Sequence, residues 1–195
     1  MATLIYFIRH GQTDWNATMR LQGQADTDLN AIGRAQADRN GERLAKVQPD
    51  IASFRFVASP LKRTRETMER VRAGAGLPRR GYLTDPRLIE VHFGDWQGKT
   101  LEEVEAGRPG ATAERDADKW HFVPPGTAGE SYDRLMSRFR PFLDEIAHPT
   151  VCVTHGGIIR AVFRIAGGMG AKEAAALVIP QDRILRWDGD RLQWL

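Results

Sequence analysis

The chain of 195 residues is long enough for one domain with a substantial core and short for two, so a single domain over 1–195 is expected. Its 42% hydrophobic and 27% charged content is ordinary for a soluble globular protein. No run approaches the roughly 20 apolar residues of a membrane helix, and no basic segment leads into an apolar one at the start. Neither a membrane partner nor a secretion signal is therefore expected. The net charge of +3 comes from arginines scattered among acids rather than gathered into a stripe, which argues against a nucleic-acid partner. The lone cysteine, Cys152, cannot form an internal disulfide and fits a cytoplasmic location. Between Val151 and Val153 it reads as a buried, inert thiol.

The first predicted element is the apolar run Leu4-Ile5-Tyr6-Phe7-Ile8, a buried strand. It delivers Arg9-His10-Gly11-Gln12-Thr13-Asp14-Trp15-Asn16, a cation and an imidazole followed by a glycine where the backbone can turn. After a long turn, Asn30 is placed to cap a helix whose face is read as Ala31, Ile32, Ala35, Leu44 and Val47, ending before Pro49. Residues 54–59 read as a strand, and Leu61 to about Val71 as a polar helix entered through Pro60. Residues 74–81 read as loop and 82–88 as a short strand. From about 98 to 130 the pattern weakens, and an excursion over the site with a short helix is expected. Ser131 caps a helix carrying Leu135, Met136, Phe139, Phe142, Leu143 and Ile146. Val151 to Thr154 reads as a strand ending in His155-Gly156-Gly157. Helices follow over 158–165 and about 172–177, and the tail alternates around Asp188-Gly189, a hairpin signal.

Three strand-to-helix junctions look alike: Arg9-His10-Gly11, Ser59-Pro60 with Arg63 just beyond, and His155-Gly156-Gly157. Strand, crossover helix and parallel strand put such junctions on one edge of a sheet. Arg9, His10, Arg63 and His155 would then converge beside helix N-termini, which also favour anions. Crowded cations need a counter-anion, and guanidinium forks match the oxygens of a phosphate. No paired histidine spacing such as H-x-x-x-H appears, so metal binding by the histidines is not expected. No cofactor is expected either.

With Thr13 and Asn16, the Arg9-His10-Gly11 segment resembles the signature of the histidine phosphatase superfamily, in its phosphoglycerate-mutase-like branch. Three further segments agree in order and spacing: Ser59 to Thr67, Leu88-Ile89-Glu90-Val91-His92-Phe93-Gly94-Asp95-Trp96-Gln97-Gly98, and Thr154-His155-Gly156-Gly157. The resemblance spans about residues 4–165. It implies a three-layer α/β/α sandwich with a mostly parallel central sheet, and dimerisation through a sheet edge as a family habit. It implies that His10 takes the phosphoryl group as a phosphohistidine and that Arg9, Arg63 and His155 hold the non-bridging oxygens. Glu90 would protonate the leaving alkoxide and then take a proton from water. Asn16, Gln22 and Gly23 match positions lining the family's phosphate pocket, and Gly156, in the last motif, is expected to bind the phosphate with them. His92, His121 and His148 read as structural or rim residues.

Within the family, a phosphomonoester hydrolase acting on a small phosphate ester is the first reading. A cofactor-dependent phosphoglycerate mutase is the alternative. The 64 positions from Glu90 to Thr154 leave little room for the longer insertion of the mutases, their adjacent Arg-Arg is missing, and Val91 rather than a base follows Glu90. The segment Gly126 to Ser131 is longer than the family's usual turn, which clouds any pocket role for Glu130. Trp120, Phe122 and two nearby prolines either line a semi-apolar pocket, suiting α-ribazole phosphate or a mixed set of small esters, or pack the excursion onto the sheet. A fructose-2,6-bisphosphatase is less favoured. A non-catalytic binding module would be expected to lack His10 or Glu90, and both are present.

Overall fold

The computed structural model describes residues 3–195. Six strands form one sheet: β1 (Ile5–Arg9), β2 (Arg55–Ala58), β3 (Leu83–Thr84), β4 (Thr150–Thr154), β5 (Ile184–Trp187) and β6 (Leu192–Trp194). Their order is β3-β2-β4-β1-β5-β6; the first four run parallel, β5 is antiparallel to β1, and β6 is antiparallel to β5. The tail hairpin expected around Asp188-Gly189 is the β5–β6 pair, with Gly189 at φ 97°.

Alternation along the strands divides the core in two. Ile5, Phe7, Cys152 and Leu185 face α6 (Tyr132–Asp144), α7 (Gly156–Ile165) and α8 (Ala171–Ala176). Tyr6, Ile8, Val151, Val153 and Ile184 face α2 (Ala31–Val47) and α3 (Lys62–Gly74). The result is the three-layer α/β/α sandwich. Cys152 is fully buried, and burial pushes its thiol well above the usual range. Among the described residues no helix is long and apolar enough to cross a membrane.

Asn30 caps α2 as expected, its side chain accepting from the Gly33 N–H at 2.9 Å. The buried face of α2 differs from the one read in the sequence. It is Gly33, Ala37, Asn40, Gly41 and Leu44, while Ile32 is 57% exposed and Val47 is also exposed. The reason is backbone proximity, which an apolar pattern does not register. A Cβ on Gly41 would stand 2.3 Å from the Val71 carbonyl oxygen on α3, and one on Gly33 would strike the Gln12 backbone. Helix propensity alone would make Gly41→Ala stabilising by about 1 kcal/mol. The clash is with main chain and cannot be relieved by a rotamer. A net loss of about 2 kcal/mol is expected, lowering Tm by about 4–8 °C. An unchanged or raised Tm in a thermal melt would show that the two helices can separate freely.

Two other segments depart from the reading. Residues 82–88 hold only the two-residue β3, followed by a 3-10 turn at Pro86–Leu88 that leads into Glu90. The stretch from 98 to 130 carries two short helices, α4 (Leu101–Gly107) and α5 (Ala111–Ala117), which pack Val104 and Ala111 on Trp96. A four-residue helix, α1 (Asp14–Ala17), closes the turn after β1. In it Thr13 and Asn16 form a reciprocal capping box.

Candidate active site

The parallel register aligns Arg9 with Thr154 and Ala58 with Val153, so β1, β2 and β4 end at one edge. There His10, Ser59 and His155 leave their strands together. A cavity of about 190 Å³ opens on this edge, lined by Arg9, His10, Asn16, Gln22, Gly23, Arg63, Glu90 and Gly156 among others. His155 lies against it, its ring centroid 5.2 Å from that of His10 in an edge-on arrangement. All nine residues singled out in the sequence are therefore brought to one place.

His10 is 3% exposed, and its Nδ1 lies 2.8 Å from the carbonyl oxygen of Gly11. A carbonyl can only accept, so the proton is assigned to Nδ1 and the lone pair to Nε2. Arg63 Nε–H donates to that Nε2 at 3.3 Å. Burial, then Arg63 and Arg9, hold the His10 imidazole well below the usual histidine range. The ring is thus kept neutral, with one nitrogen lone pair available for attack.

Arg63 is fully buried and anchored at both ends of its fork, donating to the carbonyls of Ala25 and Gly23 at 2.6 Å each. Gly23 reaches this position with φ 54°, where a Cβ would also strike the Gln97 side chain. Arg9 donates to the Ile179 carbonyl at 2.7 Å, and its buried Nε has no partner. Burial lowers both guanidinium groups to about 10, which leaves them charged at neutral pH. His155 is fully buried, and its Nε2 lies 2.8 Å from the Ser59 hydroxyl. If Ser59 donates, the proton sits on Nδ1, a buried atom with no partner. Burial and the nearby Arg63 hold His155 well below its usual range too.

The Glu90 carboxylate caps the N-terminus of α7, accepting from Gly157 N–H at 3.0 Å and from Val91 N–H at 2.9 Å. Only a glycine allows this, since a Cβ at 157 would stand 2.1 Å from Glu90 Oε1. The loop is clamped by Arg138, which donates to the carbonyls of Arg87, Ile89 and Glu90 and pairs with Glu130 at 2.7 Å. Glu130 thus acts through Arg138 and does not line the His10 cavity.

The profile of the histidine phosphatase superfamily (branch 1) matches residues 5–194. The chain belongs to this family. It is 38% identical over 190 residues to a glucosyl-3-phosphoglycerate phosphatase of Mycolicibacterium vanbaalenii, covering 85% of this chain and 80% of that protein. It is 35% identical to a metal-independent phosphoserine phosphatase of Arabidopsis thaliana, over 83% of this chain and 67% of that one. The structure of a mycobacterial glucosyl-3-phosphoglycerate phosphatase with VO3 superposes with a TM-score of 0.81 at 32% identity, covering 100% of this chain and 97% of that one. This histidine phosphatase is accordingly a phosphoric monoester hydrolase of small phosphorylated metabolites.

Several residues around the cavity carried no signal in the sequence reading. Gln181, in the segment between α8 and β5, donates to the His10 carbonyl at 3.0 Å and to Asn16 Oδ1 at 3.1 Å. With Thr13 also donating to that Oδ1, the Asn16 amide is held with its NH2 free. Thr67 Oγ1 accepts from Gly11 N–H at 3.1 Å. The histidine phosphatase cavity is also lined by Arg20, Arg115, Lys119, Tyr132 and Arg160. Trp120 and Phe122 do not line it. Trp120 is 2% exposed and stacks on Tyr132, while Phe122 stacks on Trp96. Of the two roles weighed for them, they perform the packing one.

Proposed function

We propose that this phosphatase works through a phosphohistidine on His10 Nε2, and the observation that carries the proposal is the Nδ1 contact with the Gly11 carbonyl. It leaves the lone pair of the ring on Nε2, in a cavity lined mainly by cations. Attack by Nε2 on phosphorus breaks the bond to the ester oxygen, which leaves with a proton from Glu90. Water then attacks the phosphohistidine, Glu90 takes its proton, and inorganic phosphate is released. Arg63, Arg9 and the Nδ1–H of His155 would stabilise charge on the non-bridging oxygens. Asn16 NH2, Gln22, and the backbone at Gly23 and Gly156 complete the cradle. Arg63 Nε, which donates to the His10 lone pair, would transfer its hydrogen bond to the arriving phosphoryl oxygen.

These side chains supply the electrophilic groups that a metal would otherwise provide, so the reaction is proposed to be metal-independent. Hydrolysis of p-nitrophenyl phosphate unchanged by a chelator is the expected result, and chelator-sensitive hydrolysis would refute this part. The cationic lining favours an anionic substituent over the apolar base of α-ribazole phosphate, which belongs in the substrate panel as the comparison. A cytoplasmic setting is proposed on the single buried thiol. A dimer through a sheet edge would use β3, where Leu83 is exposed, or β6.

The mutase reading is favoured by one observation, the extra cations on the cavity wall, which would also retain a phosphoglycerate. Incubation with 3-phosphoglycerate and its bisphosphate cofactor separates the two. Phosphate release outpacing isomerisation is expected, and the reverse would make the mutase the better description.

A further inference from the structure

Among its cations the cavity is lined by two uncharged amides, Asn16 and Gln22. A primary amide has two unlike ends: its NH2 attracts a phosphoryl oxygen, and its own oxygen repels one. The ends are nearly the same shape, so packing does not choose between them. The polarity of the neighbours does. Asn16 Oδ1 accepts from the Thr13 N–H and from Gln181 Nε2, at 3.1 Å each. Gln22 Oε1 accepts from the Thr27 hydroxyl at 2.7 Å. With both oxygens engaged, the NH2 groups are left for the cavity.

The orientation of Gln181 is fixed by groups that cannot reverse. Its Nε2 donates to the His10 carbonyl at 3.0 Å, and a carbonyl only accepts. Gln181 therefore meets Asn16 with N–H, and Asn16 must answer with oxygen. The Gln181 backbone is tethered in turn, its carbonyl accepting from Asn40 Nδ2 at 3.0 Å. Asn40 is 1% exposed on the buried face of α2, where an amide is costly unless it is paired. A chain of three amides thus runs from α2, through the segment between α8 and β5, to α1. Thr27 is held by its own N–H, which donates at 3.2 Å to the Ala25 carbonyl, the group that also anchors Arg63.

We propose that Gln181 and Thr27 are positioning residues that orient the Asn16 and Gln22 amides, so that the phosphoryl group meets their N–H donors and not their oxygens. This rests on His10 as the phosphoryl acceptor, since that fixes where the phosphoryl oxygens arrive. Neither Gln181 nor Thr27 lines the cavity, and each acts through the amide it holds. Without the Thr27 hydroxyl the Gln22 amide is free to turn over and set its oxygen against the anion. That forfeits a hydrogen bond to a charged group. Asn16 keeps its Thr13 bonds when Gln181 is removed, so the loss there is smaller.

The test uses p-nitrophenyl phosphate as substrate and inorganic phosphate as competitive inhibitor. Thr27→Val keeps the side chain's shape and removes its hydroxyl. KM and the inhibition constant of phosphate should rise together by about five- to twentyfold, with kcat held within about threefold. Thr27→Ala, which also lacks the hydroxyl, should match it, and Thr27→Ser should restore wild-type values. Gln181→Leu should raise the same two constants by about three- to tenfold. Each loss should shrink to within about twofold once the amide itself is gone, for Thr27→Val in a Gln22→Leu background and for Gln181→Leu in an Asn16→Ala background. A loss that persists undiminished in its background, falls on kcat alone, or is absent would overturn the assignment of that residue. With wild-type hydrolysis of p-nitrophenyl phosphate intact, those outcomes leave the phosphatase reading standing. A wild-type enzyme without that hydrolysis would remove the reading, and the positioning roles with it.

Discussion

His10→Ala should lower kcat/KM for p-nitrophenyl phosphate by at least about ten thousandfold, because it removes the atom proposed to form the intermediate. The size follows from what remains. Arg9, Arg63 and His155 still bind phosphate, but water would have to attack directly with no pre-positioned nucleophile. The fold should tolerate the change. His10 is a buried neutral ring near two arginines, and the hydrogen bonds of the ring are those with Gly11 and Arg63. Phosphate binding, read by the rise of Tm with added inorganic phosphate, should therefore persist in the variant. Turnover that survives the substitution to within about tenfold would transfer the nucleophile's role elsewhere.

Glu90→Gln should have the second-largest effect, about a hundred- to ten-thousandfold on turnover of alkyl phosphates. The amide keeps the shape of the carboxylate but cannot shuttle a proton. It also exchanges one acceptor for a donor opposite the Gly157 N–H, so part of the loss is positional. Leaving groups separate the proton role from the positional one. p-Nitrophenolate departs without help, so phosphorylation of His10 should stay fast with that substrate while attack by water is slowed. Rapid mixing should then show a burst of about one p-nitrophenol per enzyme before slow turnover. No burst would appear with an alkyl ester. Equal losses on both substrates without a burst would mean that Glu90 only shapes the loop.

The sequence showed the strand ends well, for a physical reason. A buried parallel strand must be continuously apolar, so the polar residues that end it, Arg9-His10 or Thr154-His155, stand out against their neighbours. The Asn30 cap and the Asp188-Gly189 turn were legible because each uses a residue type that local backbone geometry demands. The α2 face was misread because its contacts are backbone against backbone at Gly33 and Gly41, where no side chain signals burial. Gln181 was invisible for a related reason. It is one amide in an irregular segment, and its importance comes from reaching His10 and Asn16, 171 and 165 positions earlier. Arg115 and Lys119 belong to the excursion whose two seven-residue helices are too short to set up a clear periodicity. Trp120 illustrates the converse. Both a pocket wall and packing were open for it, and a large ring stacked on Tyr132 anchors so small a segment to the body.

The proposed chemistry rests on one carrier atom: the phosphoryl group would spend part of each cycle on an imidazole nitrogen at the end of the first β-strand. Quenching the enzyme in alkaline denaturant during turnover, then mapping the phosphorylated peptide and its isomer, measures that directly. The phosphoryl should be found on His10 and as the Nε2 isomer. Label on His155, on any other side chain, or on Nδ1 of His10 would contradict the account.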